Sequence, residues 1–389
     1  MEGGIAHTMI LEARVAYPSL MMNGTDWFQK LSPYFLNLSY TDSCDGEKAD
    51  DMQLQLADRD RRFINDWMPD KGAYIDVGII AERWYSPNAT TLKLDCGRLW
   101  IDEIEFELPQ HTVTIKGNSI PTTATIKANT ETRNWEASTL RDLVKQIVED
   151  ENKMKLTWLP DSNPSYTAVE QTEQSALEFL MHRARDAKLA IKIHRGEVVV
   201  FDELKLEEAE PKFAIVYGNA APAAGLHSFR IATGNFITRL IDTNAKATMS
   251  QVDPASGKMT QGVHVAGDEQ PASDWHQAIN QGTDSQDEEG DEGGDDGGGE
   301  TREDPVSSWQ QTAASADLLA KSHNRHHNKD RVEAKIQFGI GNPIIAAGQT
   351  FMLSGVGKYD GKWFVKTAEH KVGPMFTTTI DARKCLEGY

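Results

Sequence analysis

The chain has little cysteine and no long apolar run. Its 389 residues include only Cys44, Cys96 and Cys385, which are too few and too scattered for a disulfide framework or a paired-cysteine metal site. We interpret them as reduced thiols of a protein made in the cytoplasm. No stretch approaches the roughly 18 apolar residues of a membrane helix, and the first residues lack a basic region followed by an apolar one. The sequence therefore predicts neither membrane insertion nor a cleavable secretory signal.

Basic residues are also scarce: 40 Lys and Arg against 59 Asp and Glu give a net charge of −19. Nucleic-acid binding requires clustered cations, so this balance argues against nucleic-acid sequence recognition. The charge is uneven, because residues 284–304 contain eleven acidic residues and one arginine. We expect deletion of 282–304 to leave the fold intact, since that stretch has no apolar anchor.

Catalytic and ligand-binding motifs are absent by inspection. No Gly-x-Ser-x-Gly elbow or zincin helix occurs. Gly355 is separated from Gly361-Lys362 by five residues and Trp363 takes the hydroxyl position, so this glycine-rich stretch is not a phosphate-binding loop. The acidic run lacks the glycine and the final glutamate of a calcium loop. We therefore predict no enzyme, no cofactor and no metal site.

Alternating apolar residues predict a first, barrel-like β domain over residues 1–130. Strand patterns cover 9–17, 36–41, 52–57, 73–84, 92–106 and 112–117, and helical spacing of Phe63, Ile64 and Trp67 predicts one short helix over 59–68. A small α/β module follows over 131–210, with helices from 138 and over 172–188 and a hairpin about Arg195-Gly196. β character then returns in a third domain, 211–389, which contains a disordered acidic loop at about 267–305.

The predicted fold class is thus mostly β, with an α+β insert between two tube-like β-barrel domains. The last strands form a meander in which Asp360-Gly361 predicts a hairpin turn. Trp363–Lys371 is apolar on parts of both faces, which is typical of a strand at a surface between subunits.

This meander carries an ordered series of residues that resembles a known signature. The series includes Gly341-Asn342-Pro343, Gly355, Gly357, Asp360-Gly361, Trp363, His370, Thr378 and Arg383. It is similar to the C-terminal signature of the phage late control protein D family. These are baseplate or tail hub proteins of contractile-tailed phages, related to the hub module of type VI secretion spike proteins.

The resemblance implies a structural role without chemistry. Hubs of this family are homotrimers whose two tube-like domains per chain form a pseudo-sixfold ring, between a sixfold tail tube and a threefold spike. It implies tail tube and spike proteins as partners, with the tape measure and other baseplate proteins as further ones. The location would be the virion tail baseplate, assembled in the host cytoplasm.

On this resemblance, the interface candidates are Gly355, Gly357, Asp360, Gly361, Trp363, His370 and Thr378. One alternative stays open at this point: a carbohydrate- or peptidoglycan-binding protein, since Trp-rich β domains often bind sugars. A wall binder should expose tryptophans on one face and be monomeric, whereas a hub should form trimers.

Overall fold

A computed structural model describes residues 14–22, 24–44, 49–70, 72–86, 89–127, 129–239, 246–252, 259–265 and 313–385. The acidic segment and the first residues of the strand predicted at 9–17 lie outside these ranges. Over the described parts of the chain, no helix is long and apolar enough to cross a membrane.

Strands dominate the described residues. They are β1 (Val15–Met22), β2 (Thr25–Asp26), β3 (Phe35–Ser43), β4 (Asp51–Ala57), β5 (Tyr74–Glu82), β6 (Leu92–Glu107), β7 (Thr112–Asn118), β8 (Thr130–Thr139), β9 (Lys155–Trp158), β10 (Ser165–Ser175), β11 (Leu189–His194), β12 (Glu197–Asp202), β13 (Phe213–Val216), β14 (Ser228–Thr238), β15 (Lys246–Val252), β16 (Met259–Val265), β17 (Val332–Phe338), β18 (Thr350–Ser354), β19 (Gly361–Val372) and β20 (Phe376–Lys384). The helices are α1 (Phe28–Leu31), α2 (Leu140–Lys145), α3 (Ala176–Asp186), α4 (Glu203–Glu208) and α5 (Ala313–Asn328), and a π-helical turn, Gln146–Glu151, continues α2.

The first β unit is a sheet curled around its own core, in the order β3-β4-β7-β6-β5-β1-β2. Its strands alternate as the sequence predicts: in β4, Met52, Leu54 and Leu56 are buried while Gln53 faces outward. The long strand β6 pairs with β5 through its first half and with β7 through its second half. One strand thereby holds both sides of this unit together.

The second β unit is a closed six-stranded barrel. Its strands follow the order β18-β13-β14-β17-β20-β19, and pairing of β18 with β19 closes the ring. The core inside contains Phe338, Phe351 and Trp363. The mostly β fold class is therefore confirmed, with a closed barrel and additional strands.

The two β units share one sheet. Strand β19 of the barrel pairs antiparallel with β3 of the first unit, with Lys371 opposite Ser39. Thirteen strands are thus hydrogen-bonded in sequence across the protein. The joint between the units is therefore a ladder of backbone hydrogen bonds between β3 and β19.

The α/β module has a separate core between the β units in sequence. Strands β11, β12 and β9 form a small sheet, on which α2 and α3 pack through Leu143, Leu180 and their neighbours. An antiparallel pair of strands, β8 and β10, joins this module, and helix α5 packs against α3 and the β15–β16 hairpin. The buried hydrophobic residues form four clusters: one in each β unit, one in the module and a small one that contains Cys44, Phe201 and Phe364. The domain boundaries at 130 and 210 stay a prediction.

The helix predicted over 59–68 is wrong. The segment is a series of turns, because Arg61 adopts a left-handed backbone (φ 56°) and the buried Asp58 carboxylate accepts hydrogen bonds from the amides of Phe63 and Ile64 at 3.0 and 3.2 Å. Those side-chain bonds replace helical ones. Phe63 and Trp67 still pack inward, in edge-to-face contact with each other.

Candidate functional site at the barrel seam

The predicted hairpin between β18 and β19 exists, but its turn is longer than an Asp-Gly corner. The Asp360 carboxylate accepts hydrogen bonds from the amides of Gly355 (3.0 Å) and Val356 (2.7 Å), so it caps a loop that spans 355–360. Trp363 lies inside the barrel and donates its indole N–H to the Tyr359 carbonyl (2.8 Å). This side chain fixes the loop to the end of the barrel.

Glycine is required in this loop for two separate reasons. Gly355 and Gly357 both have positive φ angles, +94° and +68°, which L-residues rarely adopt. A Cβ on Gly355 would also overlap the Tyr217 carbonyl oxygen, whereas a Cβ on Gly357 would meet open space. Gly361, at φ +129°, begins β19.

His370 and Thr378 form a buried hydrogen-bonded chain across β19 and β20. The amide of Asn342 donates to Thr378 Oγ1 (2.9 Å), which lies 3.0 Å from His370 Nδ1. His370 Nε2 lies 2.9 Å from the Ile345 carbonyl, so Nε2 carries the proton and Nδ1 accepts from the threonine hydroxyl. Burial lowers the pKa of His370 to about 4, and the neutral imidazole holds the 342–345 loop against the barrel.

Strand β19 has partners on both sides within the protomer. β20 pairs along one side, and β18 and β3 occupy the other. Both edges of its backbone are therefore paired within the protomer, and a place at a surface between subunits stays a prediction for this strand. Of the seven candidates, Trp363, His370 and Thr378 are buried, Gly361 is half-buried, and Gly355, Gly357 and Asp360 are exposed. An interface role for these side chains stays a prediction.

A buried polar cluster joins both β units to the module. Lys192 of β11 pairs with Asp42 of β3 and lies 3.4 Å from Asp50, while Asp50 also bonds His194. Asp42 in turn accepts a hydrogen bond from the Ala347 amide in the barrel (2.8 Å). Burial raises the pKa of Asp50, but bonds from His194 and Lys192 outweigh it and lower that pKa overall. One carboxylate, Asp42, thus touches all three parts of the chain.

A second buried cluster ties helices α4 and α5 to the barrel. Arg383 of β20 pairs with Glu207 and lies 3.1 Å from Glu203, both on α4. Arg325 of α5 also pairs with Glu207, and Lys329 lies 3.3 Å from Glu203. Although burial raises it, the cations hold the pKa of Glu203 down to about 2. Of these residues, Arg383 is the one that belongs to the C-terminal series.

Two surfaces of the β units remain open. Over Val15–Ser19 one edge of β1 has no strand partner among the residues that the structure describes. The second surface, the rim patch, consists of the exposed residues Tyr85, Ile340, Ile344 and Met375, each between 45% and 67% exposed. Their chain segments are joined by hydrogen bonds, since Asn342 donates to the Tyr85 hydroxyl (2.7 Å) and the Gly341 amide donates to the Phe376 carbonyl.

Solved structures share this fold over nearly the whole chain. A tail protein from Neisseria meningitidis MC58 superimposes with a TM-score of 0.63 at 10% identity, covering 95% of this chain and 96% of its own. The 43 kDa tail protein of prophage MuSo2 from Shewanella oneidensis gives 0.60 at 11% identity, covering 95% and 98%. An Escherichia coli component of the type VI secretion system, described as similar to bacteriophage T4 tail proteins, gives 0.52 at 10% identity, covering 95% and 78%.

The chain therefore has the fold of phage tail proteins and of a type VI secretion component. The resemblance predicted from the C-terminal series is confirmed at this level. No family model matches the sequence, and no characterised protein matches it by sequence.

Proposed function

We propose that this protein is a structural hub of a contractile phage tail or a related injection machine. It would be a trimeric adaptor in the tail baseplate, between a sixfold tail tube and a threefold spike. The observation that carries the proposal is the pair of β units joined in one thirteen-stranded sheet, in a fold shared with tail proteins over 95% of the chain.

The mechanism is geometric. Three copies, each with two β units, supply six units around an axis, so one ring meets threefold and sixfold neighbours. Such a ring transmits force only if the two units of a chain cannot hinge. The β3–β19 ladder and the buried Asp42 cluster supply that rigidity. The role requires no catalytic step.

Both open surfaces suit assembly. The edge of β1 that has no strand partner among the described residues can extend its sheet onto a second copy of this chain, because an unpaired strand edge is a template for another strand. The rim patch lies at one end of the barrel and suits stacking against an apolar surface of the adjoining tail tube protein.

The first test is the molar mass in solution, measured by light scattering at several protein and salt concentrations. A hub should have three times the chain mass, alone or when mixed with tube and spike proteins. Ile344→Asp with Met375→Asp should abolish tube binding and leave the fold unchanged. Asn235→Asp, which also adds a negative charge at an exposed barrel residue, is the control. A monomer that binds neither tube nor spike protein would refute the proposal.

The wall-binding alternative is less well supported. All seven tryptophans among the described residues are buried or half-buried, and Trp27 and Trp67 pack edge-to-face against each other. If light scattering shows a monomer, a peptidoglycan pull-down with the purified protein would test this alternative.

A further inference from the structure

A pocket of about 450 Å³ lies in the first β unit. Its buried lining comes from the strands that form the core: Leu54 and Leu56 of β4, Ile75 of β5 and Ile115 of β7. Its exposed lining comes from the turns that follow β4, which include Met68. The pocket thus reaches from the surface into the core, and its volume lies within the range of small-molecule sites.

The wall of this pocket is aromatic and is held in place by ring contacts. Trp67 packs edge-to-face against Phe63, with ring centroids 5.5 Å apart, and Trp27 packs edge-to-face against Trp67 at 6.2 Å. The turns that carry Phe63 and Trp67 are fixed in turn, because the buried Asp58 carboxylate accepts a hydrogen bond from the Phe63 amide. Rings that are already fixed bind a ligand with a smaller loss of entropy.

The charge on the lining has one sign. Asp66 and Asp70 are the charged residues among those that line the pocket, and both are exposed. Within the part of the chain that the structure describes, neither carboxylate has an ion-pair or hydrogen-bond partner. Both are therefore available to a cation that enters the pocket.

Two cations beside the pocket are engaged with its tryptophans. Lys30 lies 4.7 Å from the ring centre of Trp27. Arg62 lies 5.1 Å from the ring centre of Trp67 and 3.7 Å from Asp60. Neither cation lines the pocket. Both rings thus already take part in cation–π contacts, the interaction that a cationic ligand in the pocket also uses.

We propose that this pocket binds a small organic cation, an amine carried on an aromatic or alkyl body. The proposal is independent of the assembly role. Burial of the apolar body against the leucines and isoleucines supplies the binding free energy, because that surface leaves water. The tryptophan rings and the two carboxylates select a positively charged head group.

The test is calorimetric titration of the full chain with three probes that share one apolar body: phenylbutylamine, phenylbutanol and phenylbutyrate, in low-salt buffer. The amine should bind at least about fivefold more tightly than the carboxylate, with the alcohol between them. Absence of binding for all three probes would overturn the proposal. An amine that binds no more tightly than the alcohol would overturn it as well.

The carboxylates are tested by substitution at exposed positions. Asp66→Asn combined with Asp70→Asn should bring the affinity for phenylbutylamine down to that for phenylbutanol. Glu136→Gln combined with Glu170→Gln is the matched control, because it removes two exposed carboxylates from the β8–β10 pair of strands. This control should keep the preference for the amine. A preference that survives the aspartate substitutions would contradict the assigned site.

A second measurement uses the wild type alone and so does not depend on the folding of variants. In NMR spectra, the phenyl ring of bound phenylbutylamine should show nuclear Overhauser contacts with the methyl groups of Leu54, Leu56, Ile75 and Ile115, which form the buried lining. Saturation with the amine without these contacts would place the ligand elsewhere and would also overturn the proposal.

Discussion

At the residue scale, alanine substitutions at Gly355 and Gly357 distinguish the cost of backbone strain from the cost of steric overlap. Gly357→Ala should lower the free energy of unfolding by about 1 kcal/mol, because only the positive φ angle is penalised. Gly355→Ala should cost about 3 kcal/mol, since its Cβ also overlaps the Tyr217 carbonyl. Urea unfolding of both variants measures the difference, and equal costs would mean that the loop moves away without penalty.

His370 should make stability depend on pH in a defined window. Its pKa is about 4 in the folded protein, below the ordinary value of 6.5, so the unfolded chain binds the proton first. The stability that this residue contributes is complete above pH 6.5 and is lost as the pH falls towards 4. The full loss is about 3 kcal/mol.

Comparison with His370→Gln isolates this effect from other titrating groups. The free energy of unfolding of the wild type, measured against the variant from pH 7 to pH 4, should fall by that amount. A constant difference between the two proteins across this range would contradict the assigned burial and tautomer.

At the element scale, patterns predicted the strands whose faces differ in polarity. β4, β7, β11 and β12 alternate clearly and lie where the sequence placed them. β8 and β10 were missed, because their sequences are mostly polar and their strand conformation depends on pairing with each other across an intervening helix and strand. The helix predicted over 172–188 begins only at Ala176, where Ser175 and Glu178 form a reciprocal cap.

Helices α4 and α5 are held to the barrel by charge, which leaves no periodic signal in the sequence. Arg383 is almost fully buried between Glu203 and Glu207. Arg383→Met should lower the free energy of unfolding by about 3–5 kcal/mol, because removing one partner leaves buried negative charge incompletely compensated. Chemical denaturation of the purified variant measures this cost.

The matched control is Lys335→Met, which removes a cation 3.6 Å from Asp381 in an exposed pair on the same barrel. It should cost less than about 1 kcal/mol. Adding Glu207→Gln to Arg383→Met should recover part of the loss. Similar losses of stability in Arg383→Met and Lys335→Met would show that Arg383 does not compensate the buried charges of Glu203 and Glu207.

At the scale of the whole molecule, the sequence predicted two β-rich regions and an α/β module between them. It did not predict the contacts that join them. Most of the C-terminal series lies on β19, on β20 and in the loops beside them. Its buried members, Trp363, His370 and Thr378, pack inside these strands. The contacts between Asp42, Lys192 and Ala347 bridge residues more than a hundred positions apart. Single aspartates and lysines at such separations look like any solvated charge, so only the folded chain reveals their pairing.

Because Asp42 touches both β units and the module, it should decide whether they unfold together. We expect the wild type to unfold in one calorimetric transition and Asp42→Ala to unfold in at least two, since Lys192 and the Ala347 amide lose their shared partner. Asp76→Ala breaks the Arg98–Asp76 pair inside the first β unit alone, so it should shift the transition without splitting it. A single transition in Asp42→Ala would mean that the β3–β19 ladder couples the parts by itself.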